Sequence, residues 1–281
     1  CVDSKKYFPN NKKKENKFEL KQVVLDAPKA HEVLVKIVAT GLCHTDVSVR
    51  DGVLPTNFPV VLGHEGAGIV EEVGSHVNDL KKGDHVVIQQ VIYGGTYNFI
   101  TTEFDKYGIE YSFTESDQVE DFIPLIKENT KLIYIETPSN PLLGITDLDA
   151  ISSLAKSKDI LTMIDNTFAS PINQNPADFG IDFVLHSATK YMGGHSDISA
   201  GVVASSKENI EQVWSTAINF GGNLSDQTVW LLERSLKTLN LRVKEQTRNA
   251  QIMAEYLESN KFVDRVYYPG LKSHSQYQIA K

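Results

Sequence analysis

The stretch LTMIDNTFASPINQNPADFGIDFVLHSATKYMGGH, residues 161 to 195, contains two short apolar runs, Leu161 to Ile164 and Phe183 to Leu185. Each is bounded by polar or turn residues and is too short for a helix, so both predict buried strands. Both runs end in groups able to do chemistry. Asp165 closes the first, and His186, Ser187, Thr189 and Lys190 follow the second. In an open α/β sheet, ligands bind in the crevice outside the strand C-termini. The carboxylate and the amine are therefore expected to face one pocket.

That combination suits pyridoxal phosphate. This cofactor requires a lysine for covalent attachment through its aldehyde, a carboxylate to keep its ring nitrogen protonated, and small hydroxyl donors for its phosphate. Lys190, Asp165 and the Ser187 and Thr189 hydroxyls can fill those roles. On spacing alone, a surface lysine after a strand and a capping aspartate account for the same residues equally well.

The wording of the motif adds to the spacing. Ser-Ala-Thr-Lys-Tyr-Met-Gly-Gly-His-Ser-Asp at 187 to 197 resembles the Cys/Met-metabolism family of pyridoxal phosphate enzymes, which includes cystathionine γ-lyase, β-lyase and γ-synthase and methionine γ-lyase. Further matches follow in order: Tyr-Gly-Gly-Thr at 93 to 96, Glu-Thr-Pro-Ser-Asn-Pro at 136 to 141, Asp-Asn-Thr-Phe at 165 to 168, Leu-Lys-Thr-Leu at 236 to 239 and Tyr-Pro-Gly-Leu at 268 to 271. The resemblance covers residues 83 to 281. It implies an α/β fold of the PLP-dependent transferase type, similar to aspartate aminotransferase, with a parallel-rich sheet.

Carried over by position, the resemblance implies roles for seven residues. Tyr93 would stack on the pyridine ring, for which an aromatic face is well suited. Asp165 would hold the ring nitrogen, with Thr167 beside it. Ser187 and Thr189 would bind the phosphate, and Asn140 would contact the phenolic oxygen or the substrate carboxylate. Lys190 would anchor the cofactor and move protons as general base. The implied reaction is elimination or replacement at the β- or γ-carbon of a sulfur amino acid. The family is tetrameric, with sites that straddle subunits, so a homo-oligomer is implied.

The first part of the chain reads differently. Residues 1 to 17 carry six lysines among polar residues with little to bury, the composition of a disordered tail. From Phe18 to Ile88, short β-rich runs such as Glu32 to Val38 and Gly66 to Val73 alternate with glycine-marked turns, an all-β pattern. Cys43 in Gly-Leu-Cys-His-Thr-Asp and His64 in Gly-His-Glu-Gly-Ala-Gly are soft-metal ligands, both expected in loops. These words resemble the GroES-like β-barrel domain of zinc-dependent medium-chain alcohol dehydrogenases. By that resemblance Cys43 and His64 would be zinc ligands, Thr45 a proton relay, Asp46 a partner of the ligand histidine and Glu65 an acidic neighbour of the metal. A catalytic zinc needs three protein ligands, yet no cysteine follows Cys43 and no G-x-G-x-x-G fingerprint is present. A working dehydrogenase is not expected from such a fragment.

The two resemblances overlap at Gly83-Asp84-His85-Val86-Val87, which predicts a chimera joined at shared words. The chain then divides into a tail, 1–17; a partial GroES-like segment, 18–88; a pyridoxal phosphate-binding large domain lacking its N-terminal part, 83–260; and the start of a truncated C-terminal domain, 261–281. Weak cofactor binding and little turnover are expected of such a chain, since the family's phosphate-cradling loop and its substrate-clamping arginine fall outside it.

Within the α/β region, strands are expected at 86–90, 132–136, 161–165, 183–185 and 201–204, forming a parallel sheet. Helices are expected at 147–157 and at 207–218, the latter with Ile210, Val213, Trp214 and Ala217 inward. One continuous stripe, Val229, Leu232, Leu236, Leu239 and Val243, predicts a long helix to about residue 257. A strand is expected at 263–268.

Composition bounds the remainder. The formal net charge of -8 argues against nucleic-acid or anionic-membrane partners. Only Cys1 and Cys43 are present, so a disulfide framework is excluded and a reducing, cytoplasmic setting is expected. No apolar run approaches the ~18 residues of a membrane span, and no signal-peptide pattern is visible.

Overall fold

In a computed structural model of the chain, residues 22–30, 32–40, 44–54, 60–61, 66–73 and 83–281 are described. The chain divides into two compact units, Cys1–Leu80 and Lys81–Lys281.

In the first unit, β1 (Val33–Thr40) pairs antiparallel with β2 (Gly66–Val73), with irregularities at Leu34/Val35 and Ile37/Ala39. Helix α1 (His44–Arg50) lies between them in sequence, with Asp46 in its first turn and Arg50 in its last, the polarity that a helix dipole favours. The all-β expectation is corrected here, because Thr45 and Asp46 are helical. Among the described residues the strands form a two-stranded sheet and no barrel. Cys43, His64 and Glu65 lie outside the described residues.

The second unit is built on a six-stranded sheet. In chain order it contains β3 (His85–Ile88), α2 (Gly94–Glu103), β4 (Glu110–Phe113), β5 (Thr130–Glu136), α3 (Leu148–Ser157), β6 (Leu161–Asp165), the short α4 (Ser170–Asn173), β7 (Phe183–Ser187), β8 (Gly201–Ala204), α5 (Lys207–Phe220), α6 (Asp226–Leu236), α7 (Leu239–Glu258) and α8 (Tyr277–Ala280). The strand order is β4-β3-β5-β6-β7-β8. Adjacent strands from β4 through β7 pair in parallel, and β8 is antiparallel to β7. The expectation of a wholly parallel sheet is therefore corrected at one edge. A parallel return needs a crossover, usually through a helix, whereas residues 188–200 contain only turns and extended chain.

The strands are apolar on both faces, as parallel strands covered on two sides must be. On one face, Val87, Ile133, Ile135, Ile164 and Val184 pack with Phe122 and with Leu148, Ile151 and Ala155 of α3. The sequence places α3 well because Asp147 caps it, accepting the Ala150 N–H at 3.0 Å. On the other face, Val86, Ile88 and Tyr134 meet Ile92 and Ile100. His85, fully buried, ties three strands together: its Nδ1 lies 2.9 Å from Thr130 Oγ1 and its Nε2 3.0 Å from Ser112 Oγ. Burial holds its pKa below the usual histidine value.

Four further expectations are corrected. The edge strand β4 was not foreseen, because four half-buried or exposed residues carry too little apolar pattern. Helix α5 leaves Trp214 61% exposed and buries none of its residues fully, so it covers the sheet edge loosely. The long apolar stripe belongs to two helices, since the chain breaks at Lys237–Thr238. Leu232, Leu239 and Val243 face Ala188 and Met192, while Val229 and Leu236 turn outward. Finally, residues 263–268 form no strand. A strand needs a partner's backbone groups, and this segment pairs with neither sheet edge.

Candidate cofactor site at the strand ends

Three neighbouring strands deliver polar groups at their C-terminal ends. Glu136 closes β5 and stands in register with Asp165, which closes β6, and Asp165 in turn pairs with Leu185 of β7, two residues before Ser187. A run of hydrogen bonds connects them onward. Asp165 Oδ1 accepts from the Thr167 N–H at 3.0 Å and from its hydroxyl at 2.5 Å. Thr167 Oγ1 accepts from the Ser187 N–H at 2.7 Å, and the Ser187 carbonyl accepts from the Lys190 N–H at 3.0 Å. Four of the predicted site residues are thus linked in one string.

The others are placed less directly. The Thr189 hydroxyl is engaged with the backbone of Ala200, accepting its N–H at 2.9 Å and donating to its carbonyl at 3.3 Å, and so pins the β7–β8 loop. The Lys190 side chain is exposed. Tyr93 precedes the first turn of α2 and its ring lies over Gly95, where an added Cβ would come within 2.5 Å of Cε1. Asn140 follows β5 on a loop. A cleft of about 500 Å³ runs along one face of the sheet beside α2, from Val86 and Leu132 past Tyr134 and Met163, and reaches the strand ends at Asp165, His186 and Ser187. Lys190, Tyr93 and Asn140 do not line it.

Sequence reasoning assigned no role to three residues that organise this region. Glu136 is 5% exposed, and its carboxyl oxygens accept the Tyr93 N–H at 2.6 Å and the Asn140 N–H at 3.0 Å. Burial pushes its pKa up to about 7, with nearby Asp165 adding to the effect and the two N–H donors opposing it. Its signal in the sequence was available: like Asp165, it terminates an apolar strand. Gln89, fully buried, donates to Asp117 Oδ1 at 3.1 Å and to the Glu136 carbonyl at 2.9 Å, and accepts the Glu136 N–H at 3.1 Å. Burial raises the Asp117 pKa.

Arg242 is the third. Its guanidinium donates to the carbonyls of Tyr191 (2.7 Å), Met192 (3.2 Å) and Ser235 (2.9 Å) and to Thr238 Oγ1 (3.0 Å). The last turn of α6 and the break after it supply two of these acceptors, Ser235 and Thr238, so the helix interruption helps to fix the loop that follows Lys190. Gly194 sits there at φ 72, and any Cβ would overlap the guanidinium. Burial also lowers the pKa of His186, opposed by Asp165, and raises that of Tyr134.

Among the described residues, no group of three or more His, Cys, Asp or Glu could hold a metal ion, and no helix is long and apolar enough to cross a membrane.

Comparison with known proteins agrees with the second unit. A cystathionine beta-lyase of Lactococcus lactis subsp. cremoris is 47% identical over 200 residues, covering 71% of this chain and 53% of that protein. A cystathionine gamma-lyase of Bacillus subtilis is 46% identical over 200 residues, again 71% and 53%. The crystal structure of cystathionine gamma-lyase from Lactobacillus plantarum complexed with L-serine superposes with a TM-score of 0.68 at 40% identity, over 73% of this chain and 54% of that one. The chain spans about half the length of the curated relatives it matches. The profile of the Cys/Met metabolism PLP-dependent enzyme family matches residues 68–281. That match begins inside β2, within the segment the dehydrogenase resemblance had covered, and the zinc-dehydrogenase reading gains no support from it. With a family match over most of its length, this chain belongs to the Cys/Met metabolism PLP-dependent enzymes.

Proposed function

We propose that the chain carries the cofactor-binding site of a pyridoxal phosphate-dependent enzyme that eliminates or replaces a group at the β- or γ-carbon of a sulfur amino acid. The observation that supports this most is the hydrogen-bonded string Asp165–Thr167–Ser187–Lys190 at adjacent strand ends. The donor set fits the cofactor: an amine, a carboxylate, an aromatic face and a Ser187 hydroxyl with no hydrogen-bond partner among the described residues. Bound pyridoxal phosphate supplies an electron sink for charge released at an amino acid's α-carbon.

The chain's own residues would do the rest. Asp165 holds a proton on the ring nitrogen, and Thr167 fixes the orientation of that carboxylate. Ser187 donates to the phosphate, with Thr189 keeping the loop in place. Tyr93 covers one ring face, and Asn140 offers an amide to the phenolic oxygen or the substrate carboxylate. Lys190 attaches the cofactor and afterwards carries a proton to and from the substrate carbon. Relatives at 46–47% identity are named cystathionine beta-lyase or gamma-lyase and one at 40% is named probable cystathionine gamma-synthase, which favours a carbon–sulfur lyase.

The test is the visible absorption of the chain after incubation with pyridoxal phosphate and exhaustive dialysis, followed by borohydride reduction and peptide mapping. A retained chromophore with label on Lys190 is expected. A colourless protein, or label spread over surface lysines, would refute the reading.

Gly95→Ala probes Tyr93 separately. The new methyl occupies the place of the Tyr93 ring, which is half exposed and free to swing away. In a helix, alanine is favoured over glycine by about 1 kcal/mol, so thermal stability should hold or rise. Cofactor retention should fall roughly tenfold, the equivalent of one lost aromatic contact of ~0.5–1.5 kcal/mol. Equal retention in both proteins, measured by equilibrium dialysis, would remove Tyr93 from the site.

A further inference from the structure

We propose that Glu136 is a positioning residue whose buried carboxyl group holds the loops of Tyr93 and Asn140 together over the strand ends. The geometry carries this. One carboxyl oxygen binds the N–H that opens α2, and the other binds the N–H of the loop after β5, so a single side chain joins segments 43 residues before it and 4 residues after it, with Gln89 bonded to the Glu136 backbone beneath. At 5% exposure, water cannot replace either donor without the loops moving apart. The backbone positions of two proposed cofactor contacts therefore depend on one carboxyl group whose oxygens are taken up by their N–H groups. This deepens the function proposed above and rests on it for the meaning of the site, though not for the clamp itself.

The clamp is also linked to pH. The titratable groups facing Glu136 are Asp165 on the adjacent strand and Tyr134 on its own, with Asp117 reached through Gln89. Glu136 titrates near 7 when the loops are closed, against an ordinary 4.5 when hydrated. The closed form thus binds the extra proton. The stability that proton lends is complete below about 4.5 and is lost as pH rises through about 7, because ionisation favours any opening that hydrates the carboxylate.

Amide hydrogen exchange resolved by NMR, on the full chain without cofactor, tests this. Protection at the Tyr93 and Asn140 amides, corrected for intrinsic exchange and referred to the Asn166 amide, which bonds the Leu185 carbonyl, should fall about tenfold between pH 6 and pH 8. Glu136→Gln is a neutral mimic of the protonated carboxyl with an NH2 that cannot accept in place of one oxygen, so protection at pH 6 should be lost at one of the two amides and the pH dependence should vanish. Glu136→Asp, one methylene shorter, should retain protection at only one of the two amides. Unprotected Tyr93 and Asn140 amides in the wild type at pH 6, or wild-type protection at both amides in Glu136→Gln, would overturn the clamp. The wild-type profile decides the matter even if a variant fails to fold. Missing label at Lys190 would defeat the cofactor reading and leave the clamp standing, whereas unprotected Tyr93 and Asn140 amides with normal labelling would defeat the clamp alone.

Discussion

Lys190→Ala should abolish borohydride-trapped pyridoxal phosphate and lower any carbon–sulfur bond cleavage by at least about 10²-fold, the usual lower range for removing a positioned general acid–base. Two functions disappear with one amine: the covalent attachment point and the proton carrier. The surroundings should survive, since the Lys190 side chain is exposed and only its backbone N–H, bonded to the Ser187 carbonyl, contributes to the loop. An unchanged melting temperature is therefore part of the expected result, and it separates chemical loss from unfolding. Lys190→Arg makes the control sharper. Arginine keeps the positive charge and bulk but stays protonated in proteins, so it cannot attack an aldehyde. If Lys190→Ala retained trapped cofactor on another lysine at wild-type yield, the assignment of the anchor would be wrong.

Phe122→Ala should destabilise the second unit by about 3–5 kcal/mol, the range for deleting a buried aromatic ring. Phe122 lies between two short 3₁₀ turns, Val119–Asp121 and Ile123–Leu125, and is fully buried against the same face of the sheet that α3 covers. Its ring fills space next to strands β3, β5 and β6 and helix α3, none of which can close over the gap without shifting the sheet register. Urea denaturation followed by far-UV circular dichroism would report the loss. The two compact units require the transitions to be fitted separately. A change under about 1 kcal/mol would mean that the 3₁₀ segment is peripheral to the core. Phe122→Leu, which removes less volume, should fall well short of the alanine value.

Much of the α/β core was legible in the residues themselves. Leu161–Asp165 and Phe183–Ser187 are strands because short apolar runs flanked by polar residues have no other way to hide their side chains. Asp165 and Lys190 could be singled out for the same reason: they stand where buried strands end, and the words around them matched a known family. Helix α3 followed from the spacing of its apolar face; the Asp147 cap was seen only in the structure.

Other features depended on neighbours distant in sequence. β4 exists because β3 offers it an edge, not because Glu110–Phe113 announces a strand. The apolar stripe from Val229 to Val243 has the period of one helix, yet the chain breaks at Lys237–Thr238, where the Arg242 guanidinium of the second helix bonds the Ser235 carbonyl at the end of the first and the Thr238 hydroxyl in the break. Thr189 looked like a free hydroxyl and proved to be held by Ala200 across an antiparallel turn. Glu136 carries the clearest lesson. Periodicity and motif identify its strand, but a carboxyl group acquires its partners, and its pKa near 7, only from the register that sets it beside Asp165 and from the two loops that close over it. Local sequence determined which segments must be buried and where reactive groups would emerge. Only tertiary structure decided which of those groups meet, because hydrogen-bond partners and desolvation depend on distances between segments that the chain's local preferences do not encode.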